Sequence, residues 1–336
     1  MKEIDKNLID PIHRYTVSGI EQQVDYEKFY LYSLITHSTA IEGSTVTEVE
    51  NQLLFDEGIA AKGRSLTEQM MNVDLKNAYL YGFDRAKIGQ TYTVELLCEL
   101  SAKVMRRTGT ECSTLGGTFD SSKGDLRLCN VSAGIGGRSY LAFQKVPKAT
   151  ADFCAWLNEA LSSIDKNDIA ACYRLSFEAH FRLVTIHPWV DGNGRTTRLL
   201  MNMVQRQLGL IPSIVTKEAK GEYIQALIDR REHEDSTIIQ DVMMAQHIAN
   251  LESRILQYQK TVDDTVNDTT SDTVKPNDTT SRLIAAIKEH PEYTYDEYAQ
   301  VLHIGRATVA RHIKKLNGTV IQRIGSDKDG HWEFIK

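Results

Sequence analysis

The sequence contains no long apolar run: no stretch approaches the ~20 residues that a helix needs to cross a bilayer, and the N-terminus, MKEIDKNLIDPIH, is polar. Cysteine is scarce as well, since only five are present, with no CxxC or CxxCH spacing. We therefore expect a cytoplasmic protein with reduced thiols and no membrane anchor.

An excess of basic residues is also missing. The formal charge is −6, with 41% hydrophobic and 25% charged residues, which is typical of a globular protein and argues against a polybasic chain built around nucleic acid. A local basic patch is still compatible with this balance. The length of 336 residues predicts at least two domains.

Apolar residues recur at helical spacing through most of the first 260 residues, for example over 26–60 and 65–87. From Gly116 to Pro147 the sequence is rich in Gly and Ser and contains only short apolar segments, which favours a hairpin or an exposed loop. The helical pattern then returns, and Pro188 ends one of its segments. This part of the chain is predicted to be mainly α.

Residues 261–281 are almost wholly Thr, Asp, Ser and Asn, a composition that cannot bury enough surface to order itself, so we predict a linker. Beyond it, 282–336 contains three short helical patterns and then two strands around a polar turn. This order resembles a winged-helix domain, a small α/β fold.

The stretch HPWVDGNGRTTR, residues 187–198, combines a base, a carboxylate, a glycine-rich turn and two arginines. Gly192 and Gly194 allow the backbone N–H groups to turn inward, and the helix that follows presents its N-terminus to an anion such as phosphate. Arg195 and Arg198 lie three residues apart, so they face the same side of that helix. Together these features predict a phosphate site.

Two further side chains of this stretch carry chemistry. Asp191 is a hard oxygen ligand beside the turn, suited to Mg²⁺ that is shared with substrate phosphates. His187 can accept a proton at neutral pH. The bland alternative is a polar connection between two helices, because Asp, Gly and Asn are ordinary turn residues.

The complete string resembles the signature of the Fic family, HPFx(D/E)GNGRxxR, and departs from it only at Trp189, where Phe is usual. The resemblance implies a mainly α Fic-type core with a β-hairpin flap. It also implies transfer of AMP from ATP to a Ser, Thr or Tyr hydroxyl of a protein, with His187 as the base and Asp191 as the ligand of Mg²⁺. The nucleotide-binding set that it implies within the motif is Asp191, Gly192, Asn193, Gly194, Arg195, Thr196, Thr197 and Arg198.

By spacing, the resemblance also places a nucleotide-facing flap at Ile135, Gly136, Gly137 and Arg138, for which a plain surface hairpin is the alternative. Fic flaps dock target proteins by adding a strand. Tyr223 matches a residue of the segment that lines the adenine pocket in the family. Taken alone, however, Tyr223 is a core residue, and Ile224 and Arg231 depart from the family's usual Tyr and Asn.

HSTAIEGSTVTE, residues 37–48, matches the (S/T)xxxE(G/N) motif of the Fic inhibitory helix, with Ser38, Glu42 and Gly43 in register. The resemblance implies that Glu42 pairs with Arg198 and denies it to the γ-phosphate. A surface helix that ends at Gly43 is the bland alternative.

We therefore predict an N-terminal helical region at 1–110 with an inhibitory helix at about 30–43, a catalytic core at 111–260, the linker at 261–281 and the winged helix at 282–336.

In the last domain the candidate recognition helix carries Arg306, Arg311, Lys314 and Lys315 and no acidic residue between Ile304 and Leu316, which suits DNA phosphates. The domain as a whole has nine Lys and Arg against seven Asp and Glu, a net of +2, so docking of a protein is the open alternative.

Three functions remain open at this stage. The first is an autoinhibited adenylyltransferase that acts on protein targets and on itself. The second is a DNA-binding regulator whose Fic domain senses nucleotide, and the third is a Fic enzyme that uses another nucleotide or removes AMP. A homo-oligomer is compatible with each of them.

Overall fold

A computed structural model describes residues 2–133, 137–270, 279–302, 304–317, 320–325 and 330–335. The chain divides into two compact units, Met1–Gln259 and Lys260–Lys336, so the predicted N-terminal region and catalytic core fall in one unit. Within the described residues, none of the helices combines the length and the apolar character that crossing a membrane requires.

The first unit is mainly helical, as predicted. Its helices are α1 (Glu3–Val17), α2 (Tyr26–Ile41), α3 (Glu48–Asp56), α4 (Leu66–Arg85), α5 (Val94–Val104), α6 (Val146–Ser163), α7 (Ile169–Ile186), α8 (Asn193–Gln207), α9 (Lys220–His233) and α10 (Thr237–Thr270), which continues past the end of the unit at Gln259. Short 3₁₀ turns lie at Ile20–Gln22, Ser121–Lys123 and Phe143–Lys145.

The helical pattern over 26–60 is interrupted, and the interruption has a local cause. Glu42 is the C-cap of α2, and Gly43 follows it with φ of 103°, a left-handed conformation that ends the helix. α3 then begins with a capping box, in which Thr47 accepts from the N–H of Glu50 and the Glu50 side chain bonds back to Thr47. Glu42 thereby lies at the C-terminal end of α2.

α8 lies at the centre of the unit. Thirteen of its 15 residues are buried, so the helix is surrounded on nearly all sides rather than along one stripe. It packs against α7 and α4 in a core that includes Ile35, Leu75, Leu183 and Leu199. Consequently, polar side chains on α8 lie in the interior and must find partners there.

Among its described residues, the region from Gly116 to Pro147 holds short strands and 3₁₀ turns rather than α-helix up to Val146, where α6 begins. Strands β1 (Glu111–Thr114) and β2 (Gly117–Asp120) form an antiparallel hairpin that begins five residues earlier than expected. A second antiparallel pairing joins Ser132 to Ser139, and the N–H of Tyr140 donates to the carbonyl of Val131 at 3.0 Å.

The second unit has the order expected of a winged helix: α11 (Thr279–Glu289), α12 (Tyr295–Leu302), α13 (Arg306–Leu316), then antiparallel β3 (Ile321–Ile324) and β4 (His331–Phe334). Its core includes Leu283, Ile287, Tyr298, Ile313 and Trp332. Of the predicted linker at 261–281, residues 261–270 belong to α10 and residues 279–281 to α11, and the residues between them lie outside the described part of the chain.

Candidate active site

His187 lies at the C-terminus of α7 in a left-handed conformation, with φ of 54°. Its N–H donates to the carbonyl of Leu183 at 3.1 Å, and its Nδ1 lies 3.3 Å from the carbonyl oxygen of Val184. Burial lowers the pKa of the imidazole to about 4, and the positive charges of Arg127 and Arg231 act in the same direction. The ring is therefore neutral at pH 7 and able to accept a proton.

The turn after His187 is closed by the side chain of Asn193. Its amide nitrogen donates to the Trp189 carbonyl at 2.8 Å, and its oxygen accepts from the Trp189 N–H at 3.1 Å. Gly192, with φ of 76°, is the N-cap of α8, and among the described residues no side chain caps this end. The N–H groups of the first turn are therefore available to an anion.

Arg195 differs from the other polar groups of the site because it is buried and only partly hydrogen-bonded. It is only 4% exposed, and within the described part of the chain its Nε and Nη1 have no hydrogen-bond partner. Its Nη2 lies 3.2 Å from the Met105 sulfur and 3.7 Å from Oδ1 of Asp191. A buried guanidinium with unused donors is suited to an incoming anion.

Asp191 is exposed over 68% of its side chain and accepts from the N–H of Gly192 at 2.5 Å. No group of three or more His, Cys, Asp or Glu side chains that could hold a metal occurs among the described residues. A cation beside Asp191 would therefore take most of its ligands from phosphates and water, which is how Mg²⁺ is commonly bound with nucleotides.

Arg198 is 3% exposed and is held mainly by α2. Its Nη2 donates to Oε1 of Glu42 at 2.6 Å and to the Ser38 carbonyl at 2.9 Å, while its Nε donates to the Ser38 hydroxyl at 2.9 Å. Burial alone would raise the pKa of Glu42, but the charge and hydrogen bond of Arg198 outweigh it and leave the pKa below its ordinary value. Gly43, the third predicted inhibitory residue, follows Glu42 with φ of 103°.

The Glu42 carboxylate also lies against the N-terminus of α8. A Cβ at Gly194 would come within 2.3 Å of Oε1 of Glu42 and 3.0 Å of Nη1 of Arg198. Glycine is thus required here for the close approach of the carboxylate. The Glu42 carboxylate therefore lies where the N-terminus of α8, Arg195 and Arg198 would attract an anion.

Tyr223 is 1% exposed, and its hydroxyl lies 2.8 Å from Nε2 of His180. The side chain is therefore within the core, in line with the core interpretation of Tyr223 taken alone. Ile224, the next residue, is 40% exposed.

The two threonines of the motif point into the core. Thr196 and Thr197 are both fully buried. The N–H of Thr196 donates to the Gly192 carbonyl at 2.9 Å, and the Thr197 hydroxyl bonds to the Gly194 carbonyl at 3.2 Å. The Thr197 hydroxyl is thus bonded within the helix, whereas the Thr196 hydroxyl is buried and has no hydrogen-bond partner within the described residues.

Of the predicted flap residues, Ile135 and Gly136 lie outside the described residues, whereas Gly137 and Arg138 are described and exposed. The Arg138 carbonyl accepts from the N–H of Ala133 at 3.2 Å, within the short hairpin. The flap contacts the site through Tyr140, whose ring stacks on His187 at 3.8 Å between centroids. Arg231 lies over the same Tyr140 ring at 4.6 Å.

Sequence reasoning missed Arg127, His180 and Tyr140. Arg127 is 1% exposed; its Nε donates to the His187 carbonyl at 2.7 Å and its other nitrogens to carbonyls of Cys129 and Leu141. It thus ties the motif to the base of the flap. The available signals were Arg127 within the apolar run LRLCNV and His180 within FEAHFRL, because polar side chains in such runs are often buried with a partner.

In the second unit, all four predicted DNA-binding residues belong to α13. Arg306 pairs with Asp296 at 3.0 Å and lies over the Tyr295 ring, and Lys314 is exposed. The side chains of Arg311 and Lys315 lie outside the described part of the structure.

Comparison with known proteins agrees with this geometry. Residues 91–205 match the Fic/DOC family model, and residues 276–317 match a winged helix-turn-helix DNA-binding model. The chain carries a Fic/DOC domain. The matched range contains the whole 187–198 motif and begins 20 residues before the predicted core, within the compact first unit.

The chain is 28% identical over 204 residues to protein adenylyltransferase fic-1 of Caenorhabditis briggsae, and 31% identical over 204 residues to protein adenylyltransferase Fic of Drosophila erecta. These matches cover 60% and 57% of this chain, and 36% of each relative. The chain thus spans about a third of the length of the curated relatives that it matches.

Solved structures share the fold. A Fic family protein of Desulfovibrio desulfuricans superposes over 100% of this chain and 97% of its own, with a TM-score of 0.61 at 18% identity. Fic-1 of Caenorhabditis elegans superposes over 77% of this chain and 73% of its own, with a TM-score of 0.62 at 20% identity. The Fic core and the winged helix are therefore established as folds.

Proposed function

We propose that the protein is a protein adenylyltransferase, which transfers AMP from ATP to Ser, Thr or Tyr hydroxyls of proteins and releases pyrophosphate. The observation that carries this proposal is the buried guanidinium of Arg195, which has donors without a partner among the described residues. It lies beside the uncapped N-terminus of α8. The neutral imidazole of His187 directly precedes the turn that leads into this helix. The names of the relatives support the same activity.

The residues divide the chemistry between them. His187 takes the proton of the attacking hydroxyl as the bond from oxygen to the α-phosphorus forms and the bond to pyrophosphate breaks, a contribution of roughly 10²- to 10⁴-fold. The first turn of α8, with Arg195, binds the phosphates and stabilises the developing charge. Asp191 would hold Mg²⁺, which neutralises phosphate charge when bound.

We further propose that Glu42 inhibits this activity. Its carboxylate pairs with Arg198 and occupies the space beside Gly194, so a γ-phosphate that needs Arg198 must displace it. ATP that binds with Glu42 in place would therefore lack the alignment that in-line attack requires.

The partners of the proposed reaction are proteins with an accessible hydroxyl, including this chain itself. An extended target segment would pair with the backbone beside the Ser132 to Ser139 bridge. We retain a cytoplasmic setting and self-association as parts of the proposal. Target binding or a change of oligomer would relieve inhibition if either one moves Glu42.

The test is intact-protein mass spectrometry after incubation with ATP and Mg²⁺. Three proteins are compared: the unaltered chain, Glu42→Gly, and Glu42→Gly with His187→Ala. AMP added strongly in Glu42→Gly alone would support both the reaction and the inhibition. If no variant modifies itself or any protein of a cell lysate with any of the four nucleoside triphosphates, the transferase proposal is wrong.

The second candidate function is DNA binding by the winged helix, alone or together with the transferase. The match of 276–317 to a DNA-binding helix-turn-helix family favours it, as does the basic character of α13. Fluorescence anisotropy with a duplex at several salt concentrations tests this candidate, because phosphate contacts make the affinity fall steeply with salt. Absence of binding at low salt would leave protein docking as the role of this domain.

A further inference from the structure

The imidazole of His187 is covered on one face by a side chain of the flap. The Tyr140 ring is stacked on it, with 3.8 Å between the centroids and 19° between the planes. The guanidinium of Arg231, on α9, lies 4.6 Å from the centroid of the same Tyr140 ring. Because the imidazole occupies one face of this ring, Arg231 must lie over the other, so the three side chains form one stack.

One buried residue holds the main chain on both sides of this stack. The Arg127 side chain donates to the carbonyl of His187 at 2.7 Å, and also to the carbonyl of Leu141, the residue after Tyr140. The N–H of Tyr140 donates to the Val131 carbonyl at 3.0 Å. Arg127 is 1% exposed, so its bonds are shielded from water. The two rings are therefore kept together by their backbones as well as by their own contact.

The stack supplies what the hydrogen bonding of His187 leaves open. Its Nδ1 lies 3.3 Å from the carbonyl oxygen of Val184. Because a carbonyl can only accept, the proton of the neutral ring is on Nδ1, and Nε2 is the free base. Rotation about the bond that joins Cβ to the ring is only loosely restricted in histidine. An aromatic plane against the imidazole limits this rotation and fixes the direction in which Nε2 points.

We propose that Tyr140 is a positioning residue that orients the base His187, and that Arg231 holds the Tyr140 ring in place from its other face. The inference rests on the proposed function, in which His187 takes the proton of the attacking hydroxyl. Proton transfer requires this hydroxyl within hydrogen-bond reach of Nε2, and a ring that rotates freely spends less time in that geometry. The flap thus acts on the reaction itself, in addition to its proposed docking of a target.

The experiment uses the full-length Glu42→Gly protein and follows the rate of self-modification by intact-protein mass spectrometry at about pH 8. At this pH an imidazole of ordinary pKa is neutral, so a change in rate reports the position of the base and not its protonation. Tyr140→Leu keeps an apolar side chain but removes the ring, and we expect it to slow transfer roughly 10- to 100-fold, part of what a general base contributes. Tyr140→Phe keeps the ring and should restore most of the rate.

Two controls accompany these rates. The affinity for ATP, measured by calorimetry, should stay within about twofold in both Tyr140 variants, because the ring contacts the base and a lost positioning effect lowers the rate without weakening binding. Peptide mapping locates the added AMP, and the rates are compared at sites other than Tyr140.

Arg231→Gln removes the guanidinium over the Tyr140 ring and should slow transfer by roughly two- to fivefold, the size of one cation–π contact. The same change should have no further effect in Tyr140→Leu, because Arg231 acts through that ring. Arg206→Gln is the matched control, since Arg206, in the last turn of α8, lies over the Phe83 ring at 4.9 Å. Thermal unfolding identifies any variant that does not fold.

Three results would overturn the proposal. A faster rate in folded Tyr140→Leu would mean that the ring blocks His187, and an unchanged rate would mean that the ring has no effect on it. A loss of rate that Tyr140→Phe does not restore would assign the effect to the hydroxyl. An equal loss from Arg231→Gln with and without the Tyr140 ring would contradict the part that concerns Arg231.

A second measurement does not depend on transfer. In protein with isotope-labelled histidines, the ring current of Tyr140 should shift the His187 ring signals upfield; the shift should be lost in Tyr140→Leu and kept in Tyr140→Phe, and its persistence in Tyr140→Leu would also overturn the proposal. If Glu42→Gly binds ATP but transfers nothing, the proposed function fails, while these signals still test whether Tyr140 holds the ring. If transfer occurs and Tyr140→Leu does not slow it, the positioning role fails alone.

Discussion

Replacing Gly194 with Ala tests the placement of Glu42 without reference to activity. The added Cβ would lie 2.3 Å from Oε1 of Glu42, whereas ordinary contacts begin at 3.4 Å. Gly194 is in the first turn of α8, where its φ is not in the left-handed region. The backbone therefore accepts Ala, and the Glu42 side chain must move.

The magnitude follows from what Glu42 leaves behind. Its departure deprives a buried Arg198 of a charged partner, at a cost of about 2 kcal/mol; this is below the usual 3–5 for a buried pair because Glu42 is 34% exposed. Ala is favoured over Gly in a helix by at most about 1 kcal/mol. The net loss of unfolding free energy should be about 1 kcal/mol.

The sign should reverse when Glu42 is already absent. In a Glu42→Ala background no carboxylate is in the way, so Gly194→Ala should be neutral or stabilising by up to about 1 kcal/mol. Urea unfolding of the four proteins gives a coupling free energy, expected to be about 2 kcal/mol. Equal destabilisation by Gly194→Ala in both backgrounds would refute the reasoning.

Three further predictions use other parts of the molecule. In Glu42→Gly, the acid limb of the pH profile of self-modification should lie near pH 4, the pKa of His187, because the base is lost only when pH falls through that value. Tyr140→Ala uncovers the His187 ring and should move the acid limb toward pH 6.5. An acid limb that already lies at pH 6.5 in Glu42→Gly would contradict the argument that burial lowers this pKa. Trp189→Phe should lower the unfolding free energy by about 1–3 kcal/mol, since the fully buried indole donates to a main-chain carbonyl at 3.1 Å, and an unchanged melting curve would contradict this. If the winged helix binds DNA, Arg306→Ala and Lys314→Ala should each reduce the salt slope of binding by about one, and unchanged slopes in both would remove α13 from the interface.

The anion site could be predicted from sequence because its determinants are local. Gly192, Gly194, Arg195 and Arg198 lie within seven residues, so a turn followed by a helix is enough to bring their functional groups together. The pairing of Glu42 with Arg198 spans 156 residues. It was accessible only through resemblance, because no local rule brings the end of α2 to α8.

The buried contact between Tyr223 and His180 could not be predicted in the same way. Tyr223 and His180 each fit the pattern of ordinary core residues on amphipathic helices, and periodicity reports burial without naming the neighbour. Their contact depends on how α7 and α9 pack. The length of α10 was missed for a related reason: composition predicted a linker from 261, whereas the helix continues to Thr270.

The same contacts limit how strong the proposed inhibition can be. If displacing Glu42 costs about 2 kcal/mol, the ion pair represses ATP alignment by roughly 30-fold. A target or partner subunit therefore needs only a comparable difference in affinity between the two positions of Glu42 to restore activity. Because Glu42 is at the C-cap of α2, followed directly by Gly43, a small movement of this helix end would suffice, while Arg198 keeps its hydrogen bonds to Ser38.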